Sequence, residues 1–179
     1  RQILRKAKYL ILEMEENLFL VIHFGMSGTM HLVKKNKRNI NTNLSFYHSK
    51  TLPLKHNHII IHFSKFKIIY NDPRRFGFFK IIETKKEFES YLNKYAKEPL
   101  DKDFNYEYVK KKISNRKKNI KNILLDQNII SGIGNIYANE ILFYSKINPK
   151  KLGSELKFIE INRLVKFSKK VIKKAILMG

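Results

Sequence analysis

Short runs of apolar residues, separated by charged or turn residues, fill the first hundred positions. These runs are rich in β-branched and aromatic side chains, a composition typical of β-strands. Several of the breaks are only two or three residues long, such as "EEN" at 15–17 and "SK" at 64–65, and gaps of this length predict antiparallel hairpins. We predict strands over residues 8–14, 18–24, 58–64, 66–72 and 76–83, and a long loop over residues 34–55.

The spacing of apolar residues changes after "KEPLDKDF" at 97–104, where Pro99 and the acidic residues indicate a linker and a helix start. Beyond it the apolar positions recur at helical spacing, which predicts helices over 106–114, 119–127, 135–145 and from 154 onward. One face of the last helix carries Leu164, Ser168, Val171, Ile172 and Ala175. The predicted fold class is therefore α+β: an incomplete antiparallel β-sandwich over 1–100, followed by a helical domain over 101–179.

The charge of the chain narrows the class of partner. Lysine and arginine total 37 against 15 acidic residues, a formal net charge of +22. Such an excess favours nucleic acid, although the abundant isoleucine and asparagine indicate an AT-rich coding sequence, which also raises the lysine content. No uncharged apolar run is long enough to predict a membrane span. The chain has no cysteine, which excludes disulfides and thiolate metal sites within these residues. We expect a cytoplasmic protein.

Two glycines punctuate "IISGIGN", the connection between two predicted helices. Gly132 and Gly134 permit a compact backbone with positive φ, and Asn135 opens the next helix. The free N–H groups of that helix start can bind an anion, with the Asn135 amide as a further donor. One interpretation is a phosphate clamp for nucleic acid, which the basic stretch at 115–121 favours. The other is a helix–helix turn that merely needs glycine.

The segment "NDPRRFGFF" at 71–79 joins two apolar runs. A tight turn uses the proline and the glycine, but it has no use for two arginines followed by a phenylalanine. Arg74, Arg75 and Phe76 therefore need another explanation. Upstream of them, a metal site is a further hypothesis for three histidines that alternate onto one face of a predicted strand, namely His56, His58 and His62.

Five blocks of the chain resemble, in the same order and at plausible spacing, the bacterial formamidopyrimidine-DNA glycosylase family. They are "AKYLILE", "HFGMSGTMHL", "KHNHI", "DPRRFG" and "LLDQNIISGIGNIYANEILFYSKINP", and the resemblance covers residues 5–179. The last block resembles the helix–two-turn–helix of that family. The resemblance implies a monomeric base-excision repair enzyme that removes 8-oxoguanine and formamidopyrimidines and then cleaves the abasic strand. The implied partner is damaged double-stranded DNA, lying between the two domains with one nucleotide extruded, so DNA binding would also place the protein at the nucleoid.

The resemblance also implies roles for single residues. Lys8 matches a lysine that contacts phosphate near the lesion and assists proton transfer; without the family it is a solvated lysine at a strand start. Met26, Arg74 and Phe76 match the trio that fills the gap left by the extruded nucleotide, whereas Met26 and Phe76 taken alone favour core packing. The implied contacts to the DNA backbone are His56, Arg116 with Lys117 as the other candidate at that position, Lys121 and Asn135.

Two parts of the family pattern are absent from these residues. The family nucleophile is an N-terminal proline followed by glutamate, but this chain begins Arg1-Gln2, and its prolines are Pro53, Pro73, Pro99 and Pro149. The family also carries a C-terminal finger in which four cysteines hold zinc. We therefore expect no cofactor in this chain and one structural zinc in the full-length protein. We expect an internal fragment of a longer gene product, which binds DNA but is inactive alone.

Two other functions are compatible with these features. A non-catalytic module that recognises damaged DNA, from a decayed or truncated gene, would use the same DNA-contacting residues. A basic RNA-associated protein would explain the charge and the helix–two-turn–helix, but the "GMSG" and "DPRRFG" blocks argue against it. The residues that cover the extruded base in this family lie beyond Gly179, so the preferred lesion is not encoded in this chain.

Overall fold

The computed structural model describes residues 2–34 and 52–178. The chain divides into two compact units, one ending at Glu87 and the other running from Phe88 to Met178. Strands build the first unit and helices build the second, which confirms the predicted α+β class. The predicted domain limits, 1–100 and 101–179, stay a prediction. Most of the predicted loop over 34–55 lies outside the described residues.

Two antiparallel sheets form the first unit, and their strands are shorter than the sequence pattern predicts. The strands are β1 (Gln2–Lys6), β2 (Tyr9–Glu13), β3 (Phe19–His23), β4 (Thr29–Lys34), β5 (Asn57–His62), β6 (Phe66–Asn71) and β7 (Phe78–Ile82). One sheet has the order β1-β2-β3-β7 and the other β4-β6-β5. Hairpins join β1 to β2, β2 to β3 and β5 to β6. The pattern of apolar residues misses β1 and β4.

The connections that cross from one sheet to the other carry the two glycine-containing blocks. Residues 24–28 lead from β3 to β4, and residues 72–77 lead from β6 to β7. The two loops touch at Gly25, whose φ is +66°: a Cβ there would lie 2.6 Å from the backbone nitrogen of Gly77. A Cβ on Gly77 would in turn lie 1.7 Å from the Tyr70 hydroxyl oxygen. Glycine at these positions lets the two loops pack backbone against backbone.

The carboxylate of Asp72, which is fully buried, holds the two loops together. It accepts hydrogen bonds from the Ser27 hydroxyl at 2.5 Å, the Gly77 backbone N–H at 2.8 Å and the Tyr70 hydroxyl at 3.0 Å. The Ser27 oxygen itself accepts from the Arg74 backbone N–H at 3.2 Å. A buried charge is costly unless several donors satisfy it, so these donors are needed to keep the carboxylate in place.

The hydrogen bonds to Asp72 also set its ionisation. Burial alone would raise the pKa of this carboxyl group, but the donors on Ser27, Gly77 and Tyr70 outweigh burial and lower the pKa below its ordinary value. The same burial and the bond to Asp72 raise the pKa of the Tyr70 hydroxyl group. Asp72 is therefore ionised and Tyr70 is a neutral donor throughout the physiological range.

Five helices form or enter the second unit. They are α1 (Lys85–Leu92), α2 (Tyr106–Ile113), α3 (Ile120–Leu125), α4 (Asn135–Ser145) and α5 (Phe158–Met178). The pattern of apolar residues predicts the last four and misses α1, which spans the boundary between the units. Helix α5 packs against α4 and α2, and the apolar face predicted for it is buried at Leu164, Ser168 and Val171. No helix within residues 2–34 and 52–178 has the length and apolar character that crossing a membrane requires.

Two side chains, Gln127 and Tyr108, make hydrogen bonds to the backbone of the turn between α3 and α4. The Gln127 amide nitrogen donates to the backbone oxygens of Leu125 and Ile133, and its oxygen accepts from the Gly132 N–H at 2.9 Å. The Tyr108 hydroxyl on α2 donates to the Ile129 backbone oxygen at 2.9 Å. The sequence pattern marks neither side chain, because a glutamine beside a helix end and a tyrosine on a helix are both ordinary surface residues.

The ionised Asp72 should make the free energy of unfolding of the first unit fall at low pH. Its folded pKa lies below the unfolded value of about 3.9, so its contribution is full above pH 4 and is lost as pH falls through the folded pKa. We expect Asp72→Asn to lower the free energy of unfolding at pH 7 by about 1–3 kcal/mol, because donors lose a charged acceptor. Thermal or urea unfolding between pH 3 and pH 7 measures the difference.

The difference between Asp72→Asn and the wild type should shrink below pH 4. Glu83→Gln is the control, since Glu83 is an exposed carboxylate in the same unit. A stability loss in Asp72→Asn that is constant from pH 3 to pH 7 would contradict the assignment.

Tyr108→Phe should destabilise the helical unit. The substitution keeps the ring and removes both hydrogen bonds of the hydroxyl, which leaves the Ile129 oxygen and the Lys97 N–H without their shared partner. We expect the free energy of unfolding to fall by about 1–2 kcal/mol, measured by urea denaturation. Tyr106→Phe on the same helix is the matched control, because its ring packs against Phe158 and its hydroxyl makes no bond among the described residues. Equal effects of the two substitutions would show that the Tyr108 hydroxyl has no special role.

Candidate nucleic-acid interface

Two large apolar side chains project into solvent from the loops that Asp72 holds together. Met26 is 68% exposed on the first loop, and Phe76 is 55% exposed on the second. The Arg74 guanidinium lies over the Phe76 ring, with its carbon 4.9 Å from the ring centroid. Their exposure rules out core packing, the alternative that Met26 and Phe76 favour when taken alone.

The chemistry of this exposed group suits contact with an opened base stack. An unbranched methionine can act as a wedge, and a phenylalanine ring can stack on a base. The guanidinium already forms a cation–π contact with that ring, and its planar fork can donate paired hydrogen bonds to a base edge. We define Met26, Arg74 and Phe76 as the probe group, since the structure brings all three onto adjoining loops.

Lys8 lies in the turn between β1 and β2, directly after Ala7, whose φ is +53°. Its side chain reaches the surface, but surrounding protein atoms desolvate it enough to lower its pKa. His23, at the end of β3, is its neighbour: burial, and secondarily the charge of Lys8, lower the pKa of the imidazole. A lysine of lowered pKa has a larger neutral fraction and is better suited to proton transfer.

His23 connects Lys8 to the probe group. Its Nδ1 accepts a hydrogen bond from the Gly25 N–H at 3.1 Å, so its ring proton is on Nε2. The ring also stacks on Phe78, with centroids 5.7 Å apart, and contacts Tyr9 at 5.0 Å. Sequence analysis missed His23, because it lies inside the apolar run "LFLVIHF". Its only sequence signal is that it is the one polar residue in that run.

The histidines do not form the predicted row. His56 precedes β5 in a left-handed conformation with φ of +68°, and the pairing of β5 is irregular between Asn57 and Ile59. The expected alternation is therefore wrong for His56, which lies outside the strand, whereas His58 and His62 occupy exposed positions of β5. In the parts of the chain that the structure describes, no three histidine or acidic side chains are grouped so as to bind a metal ion.

The start of α4 is open to solvent. Asn135 is its first residue, its side chain is exposed, and it makes no capping bond. Gly132 has the expected positive φ of +87°, but Gly134 does not: its φ is −110° and its ψ is 179°, an extended conformation that any residue can adopt. A Cβ on Gly134 would meet no atom within 4 Å. Open space thus lies beside Gly134, directly before the exposed Asn135.

Basic residues of the second unit lie on and before α3. Arg116 follows α2 and is partly buried, because its Nε donates to the Lys112 backbone oxygen at 2.9 Å and caps that helix. Lys117, the other candidate for the same role, is exposed. Lys121 is in the first turn of α3, where its backbone N–H donates to the Pro149 oxygen at 3.3 Å. The Arg116 side chain is thus partly committed to structure, and Lys117 is the more accessible cation.

Two family profiles match the chain, one for each part. The formamidopyrimidine-DNA glycosylase N-terminal domain matches residues 1–79, and the formamidopyrimidine-DNA glycosylase H2TH domain matches residues 95–179. Formamidopyrimidine-DNA glycosylases of Rickettsia bellii and Rickettsia felis are 39% and 40% identical to it over 176 residues. These alignments cover 98% of this chain and 59% of each relative, so the chain spans about three fifths of their length.

Solved structures give the same result. A Lactococcus lactis Fpg in complex with DNA that contains an abasic site matches with a TM-score of 0.85 and 31% identity, over 99% of this chain and 60% of that one. MutM in complex with DNA containing carbocyclic 8-oxoguanine matches with a TM-score of 0.84 and 32% identity, over 99% of this chain and 62% of that one. With both of its parts matched by profiles of one family, this chain belongs to the formamidopyrimidine-DNA glycosylase family.

Proposed function

We propose that this chain is the DNA-binding and lesion-probing part of a base-excision repair enzyme. That enzyme removes oxidised purines, chiefly 8-oxoguanine and formamidopyrimidines, and cleaves the abasic strand. The observation that carries the proposal is the probe group, an exposed methionine and phenylalanine on loops fixed by a buried carboxylate. Exposed apolar side chains on such loops are unfavourable in water and gain stabilisation when they enter a base stack.

The probe group suits a duplex from which one nucleotide has been extruded. Extrusion leaves a gap and an unpaired base on the opposite strand. Met26 fills the gap, Phe76 stacks on an adjacent base, and Arg74 donates forked hydrogen bonds to the unpaired cytosine. The contact between the Arg74 guanidinium and the Phe76 ring supports this role, because it preorganises two of the three side chains before DNA binds.

Phosphate contacts supply the remaining affinity. We assign them to His56, Lys121, Asn135 and either Arg116 or Lys117. The open helix start at Asn135 supports this assignment, since free N–H groups and the helix dipole favour an anion there. Lys8 contacts a phosphate near the lesion and assists proton transfer. Its lowered pKa and the neighbouring His23 support that role. The partner is damaged double-stranded DNA, bound by a monomer.

The nucleophile and the zinc of the family fall outside the residues present. The 179 residues contain no cysteine, so they do not fit a four-thiolate zinc site. We propose that the full-length protein carries one structural zinc and uses an N-terminal proline as nucleophile, followed by a glutamate that assists. Every role assigned above to a residue of this chain is a role in binding, positioning or proton transfer.

Substitutions should separate the probe group from the phosphate contacts. Arg74→Ala should reduce the preference for an abasic site opposite cytosine more than it reduces binding to undamaged duplex, because only the unpaired base accepts from the guanidinium. Lys121→Ala should weaken both complexes about equally, and its plot of log K against log salt should be shallower by about one phosphate contact. Fluorescence anisotropy from low to moderate salt measures all four affinities.

Two outcomes would count against these roles. If the two variants behaved alike, Arg74 would not read the unpaired base. A flat dependence of log K on salt in the wild type would mean that the net charge of +22 is only a compositional bias toward lysine.

The 179-residue polypeptide should bind DNA containing 8-oxoguanine without excising the base. Attack on the sugar needs a neutral amine, and an N-terminal amine with a pKa of roughly 8 offers far more of it at pH 7 than a lysine near 10.4. Every proline here is internal. Borohydride, which reduces a Schiff base to a stable adduct, should therefore trap no covalent complex. The positive control is a polypeptide from the same gene that begins Pro-Glu and carries the zinc finger.

Efficient trapping by the 179-residue polypeptide would overturn this expectation. Lys8 would then be the candidate nucleophile, because burial lowers its pKa. Loss of trapping in Lys8→Gln would identify it. Binding without trapping by the Pro-Glu control would instead favour a non-catalytic damaged-DNA-binding module.

A further inference from the structure

The side chains of the two consecutive arginines of the second loop have different neighbours. Arg74 lies over the Phe76 ring. Arg75, between them, has a left-handed backbone with φ of +56° and is not part of that contact. It lines a cavity of about 290 Å³, together with His58, Tyr70 and Phe78.

The Arg75 guanidinium is unpaired within the described residues. Its backbone N–H donates to the Asp72 backbone oxygen at 3.3 Å, but its side chain makes no hydrogen bond or ion pair there. The Asp72 carboxylate, in the wall of the same cavity, is already satisfied by Ser27, Tyr70 and Gly77. Arg75 is thus an exposed cation beside a cavity, with its nearest acid already occupied.

His58 also lines the cavity, and His56 is near it. The His58 Nε2 lies 2.9 Å from the Asp72 backbone oxygen, so Nε2 carries a proton and the ring is held in place. The His56 ring is 6.4 Å from that of His58. The Asp72 N–H donates to the His56 backbone oxygen at 3.0 Å. Arg75 and His58 therefore line the same cavity as Asp72, and backbone hydrogen bonds tie both His56 and Arg75 to Asp72.

Two of these residues have a left-handed backbone, which glycine adopts at the lowest cost. Arg75 and His56 both have positive φ, which brings Cβ close to a backbone oxygen. Glycine would relieve this strain at either position. A left-handed residue that keeps a large side chain at a cavity points to a use for that side chain.

We propose that Arg75, at the cavity it shares with His58, forms a second subsite on this loop, in which the guanidinium binds one phosphate of the DNA backbone. A phosphodiester supplies the anionic, multiply accepting group that a planar guanidinium recognises in a bidentate way. The subsite rests on the proposed function, because it takes the same duplex that the probe group enters. Arg74 donates hydrogen bonds to a base, and Arg75 binds a phosphate of the DNA backbone. The same loop therefore contacts the DNA at two kinds of group.

Arg75→Gly tests the subsite without the risk of misfolding. Glycine suits the left-handed backbone, so the variant should be at least as stable as the wild type. We expect the 179-residue chain with Arg75→Gly to bind duplex about five- to tenfold more weakly at low salt, and to lose about one unit of salt slope. Its preference for an abasic site opposite cytosine should be unchanged. Arg75→Lys should recover part of the affinity. Lys65→Ala, in the turn between β5 and β6, is the control cation.

Methylphosphonate substitution locates the phosphate. Replacing one phosphate at a time by a neutral methylphosphonate, on both strands, should reveal a position at which the wild type loses affinity but Arg75→Gly loses none. His58→Ala should reduce the loss at that same position. Wild-type affinity and salt slope in Arg75→Gly, or a loss of cytosine preference equal to that of Arg74→Ala, would overturn the subsite.

The outcomes distinguish the subsite from the repair function. The wild type could show no preference for an abasic site while Arg75→Gly still removed the effect of a methylphosphonate at one position. The subsite would then stand, and the repair assignment would be wrong. If the wild type were selective and Arg75→Gly bound like it at every methylphosphonate, only the subsite would fall.

Discussion

The buried carboxylate of Asp72 is the interaction on which the exposed surface of the first unit depends. A charge in the interior is stable only when donors surround it, and here they come from separate parts of the chain: Ser27 from one loop, Tyr70 from β6 and Gly77 from the other loop. The carboxylate therefore fixes two loops that belong to different strand connections. Met26 and Phe76 are exposed on the two loops that these bonds fix.

The helical unit achieves the same result with neutral groups. Gln127 fills its own turn with three hydrogen bonds, and Tyr108 ties that turn to α2. In both units, polar side chains therefore fix the backbone of a connecting loop through hydrogen bonds. His23 has a related role in the first unit, because it contacts Gly25 with its ring nitrogen while its pKa responds to Lys8. The residues that meet DNA in the proposed function are positioned by residues beneath them.

The pattern of apolar and polar residues predicted much of the fold, and the elements it missed have physical explanations. Runs of Ile, Val and Phe marked β2, β3, β5 and β6, because β-branched and aromatic side chains suit a half-buried strand. Strand β4 was hidden because its buried positions include Thr29 and His31, whose side chains bond to each other at 2.9 Å. The resemblance to the glycosylase family, and not the spacing of residues, indicated the probe group. An aspartate before a proline looks like a turn cap, so the burial of Asp72 could not be foreseen. Helix α1 buries only Phe88, too little for a periodic signal.

The close approach of the Tyr70 hydroxyl to Gly77 limits which substitutions this protein can accept during evolution. Any side chain at position 77 would collide with the tyrosine hydroxyl, and a smaller residue at position 70 would remove a donor from Asp72. Neither position can drift alone without harm, and compensation would need coordinated replacement of a glycine, a tyrosine and an aspartate. The loop should therefore tolerate few mutational paths, and its residues should change together, even though only some of them are exposed to solvent.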